Sequence, residues 1–179
     1  MPRLNVGDVL DIRKLETINS SFIDIPMKTQ ITHIQFRRFS GCPICTLHLQ
    51  EFVQRHIDLV GRGVREVAIF HSSKDVLLEH EAVVPFAVIA DPEKKLYEQF
   101  GVEKSFMSVL HPASWRAAFG GLIRHGFRLS EKAESLVGLP ADFLIGKDGS
   151  ILACHYGRHA DDSWSVEEVL TLLTDNYTH

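Results

Sequence analysis

Two cysteines two residues apart, Cys42-Pro43-Ile44-Cys45, are the part of this chain best suited to covalent chemistry. One helical turn sets such a pair of sulfurs on one side, within reach of a disulfide. Pro43 suits the first position of a helix, where its missing N–H has no intrahelical partner to lose. Cys42 then occupies the cap, where backbone N–H groups and the helix dipole favour a thiolate. Such positions lower a cysteine pKa from about 8.5 to roughly 3.5–7.5. Cys45 opens an apolar stripe and is expected to be more buried. The roles follow from that asymmetry: Cys42 attacks, and Cys45 resolves the resulting mixed disulfide or sulfenic acid. Two ordinary core cysteines are the plain alternative, against which Cys42 follows Ser40-Gly41 in a turn. A zinc site needs two more ligands. His155 and His159, with Cys154 beside them, lie far downstream on a predicted strand and loop, unlike a compact zinc module.

The elements that must position the pair alternate along the chain. Ile31–Phe36 reads as a strand ending just before the cysteines. Cys45, Leu49, Phe52, Val53, Ile57 and Val60 recur at helical spacing after them, up to Gly61 and Gly63. Val64–Phe70 is a second strand, Ser73–Glu81 a short helix, and Phe86–Ala90 a third strand. Asp91-Pro92-Glu93 caps a helix running to Phe100 and stopping at Gly101. Phe143–Ile145 and Ile151–Ala153 flank a turn containing Asp148-Gly149, a hairpin signal. Val166, Val169, Leu170 and Leu173 mark a final amphipathic helix. This order predicts an α/β fold with a mixed central sheet flanked by helices. Right-handed crossovers bring the ends of the first two strands to one sheet edge, where ligands usually bind. Residues 103–138 fit the core least well and read as an inserted, partly helical excursion within a single domain spanning 1–179.

Composition narrows the classes. Nineteen Lys and Arg against twenty-three Asp and Glu leave a net charge of −4, which gives no drive toward nucleic acid or acidic lipid. Three cysteines are too few, and odd in number, for a secreted disulfide framework. The strongest apolar run, Val83 to Ala90, is too short to span a bilayer. A cytoplasmic protein without metal or organic cofactor is expected. The ten histidines form no compact motif and are expected to build no site. His48 is read as pointing away from the attacking thiol, His56 as a packing residue, Cys154 as inert, and Asp142 as a solvent-facing strand residue rather than a proton acceptor.

Four segments stand in order along the chain: Phe36-x-Arg38-x-x-x-Cys42-Pro43-x-Cys45, Asp91-Pro92-x-x-x-x-Tyr97-x-x-Phe100-Gly101, Leu110-His111-Pro112-Ala113-Ser114-Trp115, and Leu139-Pro140-Ala141-Asp142-Phe143-Leu144-Ile145. Together they resemble the peroxiredoxin-like AhpC/TSA proteins of the thioredoxin superfamily. The resemblance implies a thioredoxin-like fold with an N-terminal extension and thiol-based redox activity. It also implies a cis-proline facing the cysteine pair, a place that Pro140 matches; the alternative is a trans proline opening a strand. Typical peroxiredoxins carry Pro-x-x-x-Thr-x-x-Cys around the attacking cysteine, whereas the corresponding places here hold Gln35 and Phe39. Arg38 is a candidate to stabilise the Cys42 thiolate, with a salt-bridged surface arginine as the equal alternative.

The function expected is an antioxidant oxidoreductase that reduces hydroperoxides or disulfides through Cys42 and Cys45, with Arg38 and Pro140 positioning thiolate or substrate. An external thiol reductant, such as a thioredoxin or glutathione system, would regenerate it, and a homodimer is compatible with the resemblance. Two alternatives stand beside it. One is a non-catalytic metal-binding or interaction module on the same fold. The other is a lipid-endoperoxide reductase of the prostamide/prostaglandin F synthase type, with residues 103–138 as a substrate wall.

Overall fold

In the computed structural model, residues 2–11, 13–38, 40, 43–80, 84–102, 139–159 and 161–177 are described. The excursion expected at 103–138 lies outside them. Seven strands and five helices are named here in chain order: β1 (Arg13–Glu16), β2 (Phe22–Ile25), β3 (Ile31–Arg37), α1 (Pro43–Gln54), α2 (His56–Gly61), β4 (Val64–Phe70), α3 (Lys74–His80), β5 (Ala87–Ala90), α4 (Lys95–Gln99), β6 (Ala141–Ile145), β7 (Ile151–Tyr156) and α5 (Val166–Tyr177). A five-stranded sheet runs β5-β4-β3-β6-β7, and β1 and β2 form a separate antiparallel pair. β3, β4 and β5 are parallel, while β6 and β7 run antiparallel to their neighbours. The mixed α/β arrangement read from the sequence is therefore the one observed.

Each sheet face carries its own core. On one, Leu49 and Phe52 of α1, Leu59 of α2, Leu77 of α3 and Val166, Val169 and Leu173 of α5 pack on Ala68, Phe70, Val88, Leu144 and Ala153. On the other, Leu96 and Tyr97 of α4, Phe100 and the β2 residues Ile23 and Ile25 pack on Ile34, Phe36, Val67, Ile69, Phe143 and Ile145. β4 and β5 are apolar along most of their length, as a buried parallel sheet requires, whereas the central β3 intersperses apolar residues with Thr32, His33, Gln35 and Arg37.

One expectation about the helices needs correcting. The stripe drawn from Cys45 to Val60 is not one helix, because the chain breaks at Arg55 into α1 and α2. The reorientation buries Leu59 completely and leaves Ile57 81% and Val60 45% exposed. Arg55 holds the break: its guanidinium bonds Asp58 at 2.9 Å and also pairs with Glu167 of α5. No glycine or proline marks the position, so periodicity alone runs straight through it.

Candidate active site

The parallel strands β3 and β4 both end at the edge where the cysteine segment begins. Arg37 pairs with Phe70 as the last register position of the two strands. α1 starts six residues later at Pro43, which makes the segment 38–42 the strand-to-helix junction. Because β6 is antiparallel to β3, its first residue, Ala141, pairs with Phe36, and Pro140 reaches the same edge. Arg38 and Pro140 are thus brought to one end of the sheet. Cys42 lies outside the described residues. Cys45 belongs to α1, at a helix position that shares a face with Leu49 and Phe52, and its side chain is outside the description.

Three groups from neighbouring elements hold the way into this junction. The Tyr97 hydroxyl donates to the Arg37 carbonyl and also lies 3.0 Å from the Ile69 carbonyl, bridging the ends of β3 and β4. The His71 N–H donates to the Arg38 carbonyl at 3.4 Å. The Ser40 N–H donates to the Ser72 hydroxyl at 2.9 Å. The His71 ring stands edge-on to Tyr97, with centroids 5.9 Å apart. Burial, reinforced by the positive charges of Lys94 and Arg38, pushes its pKa down to about 4, so this imidazole is neutral at physiological pH.

Pro140 departs from the expected geometry. The cis peptide bond among the described residues is Ile25–Pro26, and Leu139–Pro140 is trans. Pro140 directly precedes β6, where a missing N–H removes no ladder bond. Its carbonyl accepts from the Gly157 N–H at 2.9 Å, so the proline is tied to the loop after β7.

Beneath the junction, on the α1 side of β3, lies a group of buried polar residues that the sequence reading missed. His33, Gln35 and Arg37 alternate along the strand and are 0%, 0% and 2% exposed. The register sets His33 opposite Glu66 of β4 and Gln35 opposite Asp142 of β6. His33 Nδ1 lies 2.8 Å from one Glu66 oxygen and 3.0 Å from the other. Its Nε2 faces Asp142 Oδ1 at 3.5 Å, an ion-pair separation longer than a normal hydrogen bond. Gln35 donates to Glu66 and accepts from Arg37 Nε at 3.0 Å. Arg37 also donates to the Ser163 hydroxyl at 3.0 Å and lies over the Phe52 ring at 5.8 Å. Asp142 accepts from the Trp164 N–H at 3.1 Å.

This network joins a buried cation and a buried histidine to two buried carboxylates, so charge is matched inside the core as buried ions require. Burial is the strongest single influence on His33 and lowers its pKa, but Glu66 and Asp142 together overturn it and push the value up to about 9. Burial likewise raises Asp142, yet His33 and Arg37 hold its carboxyl below the usual carboxylate range. Asp142 is therefore a buried ion, not the solvent-facing residue expected. The histidines also do more than expected here. His48 bonds the Trp164 carbonyl at 2.7 Å and stacks on Phe52, and the His33 and His155 rings lie 6.0 and 6.1 Å from that of Trp164. A signal for the network was present in the alternation His33-x-Gln35-x-Arg37 inside a central strand, where a polar face must find partners. His56 does pack, its ring 5.9 Å from that of Phe86. Cys154 is half-buried on β7, its thiol pushed up by desolvation, an environment that suits an unreactive sulfur. Among the described residues no group of three or more His, Cys, Asp or Glu side chains is arranged to hold a metal ion. Among them, too, no helix is long and apolar enough to cross a membrane.

Comparisons with known proteins bear on this geometry in two ways. Residues 48–159 match the family model of the AhpC/TSA antioxidant enzymes, a span that opens just beyond Cys45. No curated protein matches the chain by sequence. Among solved structures, peroxidoxin BcpB from Mycobacterium tuberculosis superposes with a TM-score of 0.70 at 13% identity, over 97% of this chain and 98% of that one. A cysteine-to-serine variant of PrxQ from Xylella fastidiosa gives 0.70 at 16% identity, over 98% of each chain. A chain assigned as the thiol:disulfide interchange protein DsbE, from Chlorobium tepidum, gives 0.59 at 20% identity, over 95% of this chain and 99% of that one. At these identities the likeness is one of fold, and it is the thioredoxin-like fold expected from the ordered motifs.

Proposed function

The chain belongs to the AhpC/TSA antioxidant-enzyme family, and from that premise we propose that it is a thiol-based oxidoreductase in which Cys42 attacks and Cys45 resolves. What supports this reading is that Cys42-Pro43-Ile44-Cys45 falls, in sequence, between the end of β3 and the first turn of α1, in a fold shared with peroxidoxins. The Cys42 thiolate attacks one oxygen of a hydroperoxide, the O–O bond breaks, and the leaving oxygen takes up a proton as an alcohol or water. Cys42 is then a sulfenic acid. The Cys45 thiol attacks its sulfur, water leaves, and an intramolecular disulfide forms. Two electrons from an external thiol, of thioredoxin or glutathione type, reduce that disulfide and restore both thiols. No metal or organic cofactor takes part in any of these steps.

Arg38 serves as the nearby positive charge that favours the thiolate, and Pro140 lines the same sheet edge. A second reading, disulfide exchange without peroxide, is favoured by Gln35 and Phe39, which stand where peroxiredoxins carry proline and threonine. Three cysteines, few and odd in number, support a reducing, cytoplasmic setting for either reaction.

A free-thiol count before and after stoichiometric hydrogen peroxide separates the readings. The wild type is expected to lose two thiols and Cys42→Ser none, while Cys45→Ser stops at a mixed disulfide or an overoxidised sulfur. Unchanged thiols with peroxide, but rapid exchange with a disulfide substrate, would assign the protein to disulfide reduction. Full turnover of both substrates by Cys42→Ser would sink the assignment. Stoichiometric zinc on the purified protein would instead favour a metal-binding module.

A further inference from the structure

Among the described residues, the backbone leading from β3 toward the cysteine segment is bonded by groups that come from elsewhere in the chain. Arg37 closes β3, and its carbonyl accepts from the Tyr97 hydroxyl of α4. The Arg38 carbonyl accepts from the His71 N–H. Ser40, two positions before Cys42, donates its N–H to Ser72 Oγ at 2.9 Å. His71 and Ser72 are the first two residues after β4, and Tyr97 reaches the same place from beyond β5. The fastened atoms are backbone atoms, so what is being fixed is the path of the chain.

We propose that Ser72 and Tyr97 are positioning residues for the Cys42 thiol, acting through the backbone of Arg37 and Ser40 that leads toward it. The proposal rests on the redox reading above, since it assigns these hydroxyls a part in the reactivity of that thiol. The physical reason is geometric. A thiolate at a helix start is favoured by N–H groups aimed at it, and that field falls off within the first turn. A junction free to drift by an ångström loses both the field and the angle of attack. Neither hydroxyl touches substrate; each acts through the backbone it holds. Each tether satisfies a main-chain polar group of Arg37, Arg38 or Ser40.

The test uses the full chain with Cys45 and Cys154 replaced by serine, so that Cys42 is the single thiol, and iodoacetamide as the probe over a range of pH. Ser72→Ala and Tyr97→Phe are each expected to raise the pH midpoint of alkylation. At a fixed pH well below the midpoint the rate should fall by roughly threefold per unit of upward shift, the loss of thiolate outweighing the greater nucleophilicity of a sulfur of higher pKa. Ser72→Thr keeps the hydroxyl and is expected to stay within about twofold of the parent, because the tether survives. Thermal unfolding of each variant separates this from loss of fold, as a merely structural role would lower the melting temperature and leave the midpoint in place. An unmoved midpoint and rate in Ser72→Ala would overturn the proposal, and so would equal losses in Ser72→Ala and Ser72→Thr. If the wild type loses no thiols to peroxide and exchanges with no disulfide, the redox reading fails, whereas the alkylation series still decides whether the tethers act on Cys42.

Discussion

His33 shows how far one residue depends on neighbours brought from elsewhere in the chain. Alone in a core, an imidazole sheds its proton; between Glu66 and Asp142 it keeps one, with a pKa of about 9 against an ordinary 6.5. Its contribution to stability is complete below pH 6.5 and disappears as the pH rises through about 9. The size follows from the shift, on the order of 3 kcal/mol. Asp142 acts in the opposite sense. Its carboxyl is held below its usual value, so its contribution is present at neutral pH and is lost on acidification. Urea unfolding should accordingly show a midpoint that is highest in weakly acidic to neutral solution and declines between pH 6.5 and 9. His33→Gln is expected to flatten that alkaline decline. It should also cost about 3–5 kcal/mol, because it leaves two buried carboxylates without their shared cation. An alkaline slope equal to the wild type's in His33→Gln would show that another group titrates there.

At the scale of elements, local signals gave the right kinds of structure and missed how they meet. The Asp148-Gly149 turn joins β6 to β7 as its residue types demand, with Gly149 at a φ of +89°. Asp91 caps α4 as expected, its carboxylate accepting from the N–H groups of Lys95, Leu96 and Tyr97. These are interactions within a few residues, and composition reveals them. The break at Arg55 was not visible, because its cause is Leu59 entering the core and Glu167 arriving on α5. The trans state of Leu139–Pro140 was not visible either, for the proline is fixed by Gly157. A Cβ on Gly157 would run into the Asp162 carbonyl oxygen and come within 2.9 Å of the Pro140 carbonyl oxygen. Gly157→Ala must push these backbones apart, at a cost of about 1–3 kcal/mol. Differential scanning calorimetry is expected to show a melting temperature lowered by several degrees. An unchanged transition would mean that the loop after β7 yields freely.

The whole molecule protects its sheet edge with its own N-terminal segment. Leu10 N–H donates to the Gly149 carbonyl at 2.9 Å, Gly7 N–H to Ile151 at 2.9 Å, and Ile151 N–H to Asp8 at 2.8 Å. The Tyr156 hydroxyl accepts from the Leu4 N–H at 2.8 Å and donates to the Phe100 carbonyl at 2.7 Å. β7 is the last strand of the sheet, so these contacts cover backbone groups that would otherwise offer a template to another chain. Deleting residues 2–10 should therefore raise self-association, measured by light scattering at fixed concentration, while the circular dichroism of the remaining chain changes little. An assembly state indistinguishable from that of the full chain would rule out this protective role.

By itself, the sequence determined the α/β class, the strand and helix succession, the family resemblance and the candidate pair Cys42 and Cys45. The resemblance rests on ordered motifs spread from Phe36 to Ile145, and the others on spacing within a turn or two, where neighbours in the chain are also neighbours in space. Only the tertiary structure decided that His33, Gln35 and Arg37 face inward among charges, that Asp142 is buried, and that Ser72 and Tyr97 bond the backbone of Ser40 and Arg37. Those facts depend on strand register, which sets Glu66 beside His33 and Asp142 beside Gln35. An alternating strand looks the same whether its polar face meets water or partners. What distinguishes the two is a helix laid over it, and α1 lies over this one.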